Sequence, residues 1–302
     1  MVLVTGITGK SGNWFLKRLM SEKGSLIDTR FRVSVRNTSN VELIDNSGLQ
    51  MDKVYGDLND TSFIHKAMKG ISTVIHIAGI HNSLNVVEAA ISNDVKRLIL
   101  VHTTGIYSKY KTASAGYLEI EKSIEKMVAN RNIDVTILRP TMIYGSLSDK
   151  NVSIFIKMID KLKFFPVINH AMYPLQPVYE KDLGDAYYEV LVNADATRNK
   201  NYILSGKEPI LLIDMLKIIG THLKKKTIFF SVPFPIAYLG AWGLYIMTFG
   251  KVDLREKVQR LIEPRTFPHH GAIHDFGYSP MNFNDGVRNE IIEYVTKKSK
   301  KK

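Results

Sequence analysis

Apolar residues follow two alternating rhythms over the first two hundred positions. Short β-branched and aliphatic runs occupy 2–4, 31–35, 53–55, 73–77, 97–102 and 135–138. Several are apolar almost throughout, as strands buried on both faces should be. Amphipathic stretches of about three turns lie between them. Strands alternating with helices predict right-handed crossovers, and so an α/β fold with a doubly wound parallel sheet and helices on both faces. After Pro140 the rhythm changes. Helices are predicted over 151–162, 181–193, 211–223, 236–249, 254–261 and 285–295, with extended segments at 175–179, 201–204 and 228–232. This part is expected to form a smaller, mostly helical C-terminal lobe.

One stretch interrupts that picture. No charged residue occurs from Thr227 to Gly250, a length that could cross a bilayer. Pro233 and Pro235 divide it into a short strand and a helix. The expectation is a buried or interfacial helix without a transmembrane span. Tyr238, Trp242 and Tyr245 are expected in the core, with a pocket lining or a weak membrane-surface contact as alternatives.

Composition narrows the chemistry. The 302 residues suffice for two units with a sizeable core. The absence of cysteine excludes disulfides, thiolate metal sites and cysteine nucleophiles, and fits a reducing, cytoplasmic setting. Residues 1–10 hold a glycine turn in place of an uninterrupted apolar run, so no secretory signal is expected. The net charge is +12, and five of the last six residues are lysines, expected as a solvated tail. Without them the chain is still at +7, which favours an anionic ligand. Lys224-Lys225-Lys226 comes with no nucleic-acid motif and reads as a solvated run, so no nucleic-acid partner is expected. His269, His270, His274 and Asp275 cluster in sequence but are expected to be structural, with no metal.

The first apolar run, Val2-Leu3-Val4, leads at once into Thr5-Gly6-Ile7-Thr8-Gly9-Lys10-Ser11-Gly12 and then an amphipathic helix. A dinucleotide pyrophosphate requires this arrangement. One glycine makes the turn, one admits the phosphates and one lets helix and strand approach. The helix N-terminus then faces the negative charge. At the end of the second strand the chain reads Ser34-Val35-Arg36-Asn37, with no acid before Glu42. An acid there would hold a ribose hydroxyl, whereas an arginine can fork onto a 2′-phosphate. NADP is the expected cofactor, with NAD as the alternative.

In the order of its landmarks the chain resembles the short-chain dehydrogenase/reductase superfamily, of extended or atypical type, a group that includes nucleotide-sugar epimerases and dehydratases. The resemblance rests on Gly6, Gly9 and Gly12; on Gly56-Asp57-Leu58; on His76-Ile77-Ala78-Gly79; and on Leu138-Arg139-Pro140-Thr141-Met142-Ile143-Tyr144-Gly145. Pro177-Val178-Tyr179 with Asp182-Leu183 and Asp275-Phe276-Gly277-Tyr278-Ser279-Pro280 extend it over nearly the whole chain. It implies a Rossmann-type domain over 1–145, joined by 177–207, and a substrate lobe from 146–176 and 208–302. It further implies that Asp57 and Leu58 contact adenine, that Ala78 and Gly79 line the cofactor, and that Pro140, Thr141 and Met142 lie at the nicotinamide.

The same resemblance implies a hydroxyl residue, a tyrosine acid/base and a lysine four residues later. Thr103 takes the hydroxyl place, with Thr104 as its competitor, and Tyr117 takes the tyrosine place. The lysine position holds Glu121, and Lys122 is offset by about 100° on an ideal helix. Tyr107 and Lys111 have the literal spacing but lie too close to the fifth strand. The expected function is NAD(P)-dependent hydride transfer at a carbonyl or carbinol carbon of a small molecule, a nucleotide sugar being the implied class. The alternative is an NADP-binding sensor with a degenerate site. The oligomeric state is open, a homodimer included.

Overall fold

Six parallel runs and a seventh that returns late in the chain line up into one sheet. The computed structural model describes residues 1–22, 24 and 29–300, without the side chains of residues 111–113. The first part contains β1 (Val2–Thr5), α1 (Lys10–Ser21), β2 (Phe31–Val35), α2 (Glu42–Asp45), β3 (Met51–Tyr55), α3 (Thr61–Met68), β4 (Thr73–His76), α4 (Ser83–Ser92), β5 (Arg97–Val101), α5 (Lys111–Val128) and β6 (Asp134–Pro140). The middle contains β7 (Ile143–Tyr144), α6 (Val152–Lys161), β8 (Phe164–Ile168), β9 (Pro174–Leu175), β10 (Val178–Tyr179), α7 (Glu180–Val192), α8 (Ala194–Thr197) and β11 (Asn201–Leu204). The last part contains β12 (Ile210–Leu211), α9 (Leu212–His222), β13 (Ile228–Val232), α10 (Phe234–Met247), α11 (Arg255–Leu261), α12 (His270–Phe276) and α13 (Phe283–Ser299).

The main sheet has the order β11-β6-β5-β4-β1-β2-β3, and every pairing in it is parallel. Strand order reverses between β1 and β4, which opens a crevice at their C-terminal ends. Helices cover both faces, as a parallel sheet requires. On one face Phe15 and Leu19 of α1 share a core with Leu183 and Tyr187 of α7. On the other, Leu3 and Leu98 meet Ile64, Met68, Val86 and Ile124 of α3, α4 and α5. A third core belongs to the C-terminal lobe. There Ile156 and Ile159 of α6 pack with Met215, Leu216 and Ile219 of α9 and Val287 of α13.

Several expectations need correction. The extended segment at 175–179 is two separate strands, β9 and β10, in different small sheets. β8 was unpredicted because Pro166 interrupts its pattern; a proline is tolerated in this two-stranded ribbon with β13. The histidine-bearing segment contains a helix not predicted above: residues 270–276 form α12, ended by Gly277 in the left-handed region at φ 70°. The lysine tail is partly structured. Lys297 and Lys298 lie in the last turn of α13, favoured there by the helix dipole, and pair with Glu293 and Asp160 respectively. Lys301 and Lys302 lie outside the described residues.

The helix expected as core is the largest departure. Ala241 is the one fully buried residue of α10, and Trp242 is 44% exposed. Its sequence is apolar on every side, so periodicity could not reveal which side the protein covers. Among the described residues no helix is long and apolar enough to cross a membrane.

Candidate dinucleotide and substrate site

The chain leaves β1 at Thr5, turns at Gly6 with φ +77°, and enters α1 at Lys10. A Cβ on Gly6 would lie 2.6 Å from the Ala78 backbone nitrogen, and one on Gly12 would lie 2.2 Å from the Gly6 carbonyl oxygen. Both clashes are with backbone, so neither position admits a larger residue without rebuilding the turn. A Cβ on Gly9 would approach only the Gly6 oxygen, at 3.0 Å. Gly9 otherwise borders a cleft of about 540 Å³ at the strand-order reversal.

Gly6, Thr8, Gly9, Lys10 and Ser11 form one wall of this cleft. Arg36 and Ser39 border it beyond β2, Asp57 and Leu58 beyond β3, and Ala78 beyond β4. The N-terminus of α1 opens into it, with Lys10 adding positive charge. This cradle, kept clear by a missing side chain at Gly9, fits the diphosphate of a dinucleotide. Arg36 is exposed, and no carboxylate pairs with it among the described residues. Its backbone N–H donates to the Ser39 hydroxyl at 3.3 Å, and the Thr8 hydroxyl donates to the same oxygen at 3.5 Å. Ser39 was not anticipated; the hydroxyl-bearing run Thr38-Ser39 just after Arg36 was the available signal.

Four of the expected cofactor residues, Thr5, Gly12, Gly79 and Pro140, act behind the walls. Thr5 donates its hydroxyl proton to Nδ1 of His76 at 2.7 Å, while Nε2 of His76 donates to the Gly79 carbonyl at 2.9 Å. His76 is buried, and burial pushes its pKa down to about 4, so it is neutral and ties β1 to the loop after β4. Gly12 serves helix packing. Pro140 accepts the Thr104 hydroxyl at 3.1 Å.

A second cavity, of about 280 Å³, adjoins the cleft, because Ile143 and Asn151 border both. Thr103, Thr104, Thr141 and Met142 form its sheet side. The two threonines differ. Thr104 spends its proton on Pro140, whereas Thr103 accepts from the Gly105 N–H at 3.0 Å and keeps its proton free to donate. Thr141 is buried and donates to the Gln176 carbonyl at 2.5 Å, which leaves it a structural role. Tyr117 forms no part of either wall. A Cβ on Gly105 would lie 3.2 Å from both Thr103 Oγ1 and Tyr117 Cε2, so the two side chains flank that glycine. His81 lies against the Tyr117 ring, with centroids 5.4 Å apart. The side chain of Lys111 lies outside the described set.

The opposite wall comes from the last turn of α11 and the segment after it, neither of which the sequence pattern singles out. Arg260, Glu263, Arg265 and Phe267 border the cavity. Glu263 accepts from Ser108 at 3.0 Å and from the Lys109 N–H at 2.7 Å, which fastens this segment to the chain beyond β5. Nε of Arg260 and of Arg265 is buried without a hydrogen-bond partner among the described residues. Burial, with Arg260 nearby, lowers the Arg265 pKa to about 10. Two under-partnered guanidiniums at one cavity favour an anion there. The available signal was two arginines either side of Glu263-Pro264, close to a helix end.

Glu121 does not face Tyr117 as a bare anion. Nε and Nη2 of Arg139 donate to it at 3.0 and 2.7 Å, and Nδ1 of His102 donates at 2.9 Å. Burial alone would raise its pKa, but these hydrogen bonds and the Arg139 charge outweigh that and bring it to about 2. The His102 ring continues to the Ser83 hydroxyl at 3.2 Å. This network joins α4, β5, α5 and β6 below the cavity. The histidines near the C-terminus diverge: His269 bonds to Ser205 at 2.6 Å, and His274 pairs with Asp275 at 2.7 Å. Among the described residues no cluster of ligating side chains could hold a metal ion.

Comparison with known proteins places this architecture. Residues 6–157 match the model of a family described as NAD(P)H-binding. The UDP-glucose 4-epimerase of Vibrio cholerae is 20% identical over 293 residues, covering 85% of this chain and 84% of the relative. Among solved structures, the dTDP-glucose 4,6-dehydratase of Streptomyces venezuelae, determined with NAD bound, superposes with a TM-score of 0.73 at 16% identity, covering 98% of this chain and 97% of the other. The triphenylmethane reductase of a Citrobacter species gives a TM-score of 0.73 at 18% identity, over 96% of this chain and 99% of the other.

Proposed function

This chain belongs to the NAD(P)H-binding family, with the extended, epimerase-like short-chain dehydrogenase/reductase fold, and from that premise we propose that it is an NADP-dependent oxidoreductase or epimerase acting on a phosphate-bearing small molecule. The observation that carries this reading is the adjoining of the two cavities at Ile143 and Asn151. A dinucleotide seated on the glycine turn would bring its nicotinamide end toward a pocket walled by Thr103 and two arginines. When bound, the nicotinamide would supply or accept a hydride at a carbonyl or carbinol carbon. Thr103 would hold the substrate oxygen with its free hydroxyl proton, and Tyr117 would exchange the one proton that balances the hydride. Arg260 and Arg265 would bind the phosphates, and nucleotide sugars are the substrate class that fits both this charge and the relatives. Arg36 and Ser39 favour NADP over NAD. The proposal further assigns 1–145 with 177–207 to cofactor and the remainder to substrate.

A second reading, a dinucleotide-binding sensor without turnover, is favoured by Glu121, because no lysine stands where the resemblance expects the cation. One experiment separates them. Purified protein is mixed with NADPH or NADP and UDP- or dTDP-sugars or simple carbonyl compounds, and nicotinamide absorbance and sugar isomers are followed. The enzyme reading expects turnover that Thr103→Ala and Tyr117→Phe abolish and that Arg265→Gln weakens mainly through KM. Turnover untouched by Tyr117→Phe removes that residue from the mechanism. Cofactor binding without any turnover transfers the case to the sensor.

A further inference from the structure

Away from both cavities, α10 and the ribbon of β8 and β13 expose apolar side chains that no part of the described chain covers. Ile236, Leu239, Ile246 and Met247 on α10 are 62, 71, 54 and 79% exposed, and Phe249 just beyond it is 93% exposed. At 100° per residue these α10 positions and Trp242 fall within an arc of about 140°. Ala241, the one fully buried residue, points away from that arc. Gly240 and Gly243 lie on the open side, and a Cβ on either would meet nothing within 4 Å. The ribbon continues the pattern. Its inner residues Phe165 and Val167 are buried, while Phe164, Ile228 and Phe230 on the other side are exposed. A half-covered strand should alternate apolar and polar; this ribbon is apolar on both faces.

The surrounding charge is mainly positive, and Asp253 beyond α10 is paired with Arg255. From Met215 to Val252 the chain has five lysines and no carboxylate. Lys163 precedes β8, Lys224 and Lys226 precede β13, and Lys251 follows α10. All four are exposed, and none pairs with a carboxylate among the described residues. A two-fold pairing of two copies through this face would bring two lysine-rimmed surfaces together, which costs affinity. An anionic lipid surface satisfies both features. Apolar side chains enter the acyl boundary, the aromatic rings of Trp242 and Phe249 sit at headgroup depth, and the lysines meet phosphate and carboxylate groups. At 14 residues α10 is about 21 Å long, too short for a hydrocarbon core of about 30 Å.

We propose that the face formed by α10 and the outer side of β8 and β13 docks this protein on the surface of a bilayer carrying anionic headgroups, with α10 lying in the interface. The inference is independent of the reaction proposed above. It places the substrate lobe at the membrane and the dinucleotide cleft in another part of the fold.

The test is pelleting of the full chain with vesicles of phosphatidylcholine alone or mixed with phosphatidylserine. The protein should pellet with mixed vesicles, less with neutral ones, and be partly released by salt. Replacing two exposed apolar groups, in Leu239→Ser with Met247→Ser, should weaken association at least about tenfold. Lys224→Gln with Lys226→Gln should bring binding to mixed vesicles down to that for neutral ones. A blue shift of tryptophan emission on lipid addition should vanish in Trp242→Phe, leaving Trp14 as the only tryptophan. Melting curves check that the variants fold; if the double serine variant does not, Met247→Gln alone takes its place. Failure to pellet with either vesicle overturns the proposal, as does pelleting the variants leave unchanged. Sedimentation equilibrium without lipid showing a dimer that Leu239→Ser with Met247→Ser converts to monomer would also overturn it, and would assign the face to a second copy.

Discussion

The two cavities of this protein are built in opposite ways. The dinucleotide cleft takes one wall from five residues of a single turn, Gly6 and Thr8 to Ser11, and works largely through the side chains missing at Gly6 and Gly9 and, behind them, at Gly12. The adjoining cavity is assembled from side chains more than a hundred residues apart, with Thr103 facing Arg260 and Arg265. The first depends on backbone geometry set by a strand, a turn and a helix. The second depends on ties between elements, chiefly Glu263 to Ser108 and Lys109, and Glu121 to Arg139 and His102. A backbone site is most sensitive at its glycines. A side-chain site can be damaged through a residue that never meets the ligand.

The largest expected effect is at such a residue. Glu121→Lys would restore the superfamily's residue type but place a cation against the buried Arg139 and His102. It should destabilise the fold by about 3–5 kcal/mol, as removal of one partner from a buried ion pair does. A urea titration reads this, and an unchanged midpoint would show that the network is dispensable. The pH dependence follows from the same shift. Folded Glu121 titrates near 2 and the free group near 4.5, so between these values the unfolded chain binds more protons. Its stabilisation is complete above about pH 4.5 and is lost as pH falls toward 2. Glu121→Gln should flatten that limb.

Arg36→Ala probes the cleft at the side chain expected to meet a 2′-phosphate. NADPH affinity should fall about tenfold or more, the scale of a charge-assisted hydrogen bond, and NADH affinity should stay within error. Equal losses for both cofactors, read by calorimetry, would detach Arg36 from the 2′-phosphate.

The smallest effect is expected at Glu290, which is fully buried and accepts from the Gly145 N–H at 3.2 Å. Burial and the Asp149 carboxylate beside it push its pKa well up, so it stays protonated in the fold. Here the sign is reversed: the folded chain holds the extra proton, and stability falls as pH rises above the ordinary carboxylate range. Glu290→Gln keeps the shape without the proton. It should change stability by less than about 1 kcal/mol at acid pH and raise it at alkaline pH. A Glu290→Gln variant less stable than the native protein at alkaline pH would contradict a neutral Glu290.

The contrast between the cavities also explains what could be read in advance. The strand–turn–helix at the N-terminus is local, so Gly6, Gly9, Gly12 and Lys10 are visible as a pattern, as is the alternation that builds the sheet. Arg260 and Arg265 carry no local pattern, because only the tertiary fold brings α11 opposite β5. Glu121 was visible as an unusual residue, but its meaning lay in Arg139, on another element. Apolar content without periodicity could not distinguish the exposed side of α10 from a core.

The proposed function requires that the turn at Gly6 to Gly12 hold a dinucleotide diphosphate. Its most direct test is calorimetric titration of NADPH into the protein and into Gly9→Val, with melting curves confirming that both are folded. The account predicts one binding event per chain in the native protein and, in the variant, a loss of affinity of at least about a hundredfold, about 3 kcal/mol, because a side chain occupies the phosphate's approach. Unchanged NADPH binding by folded Gly9→Val would contradict it.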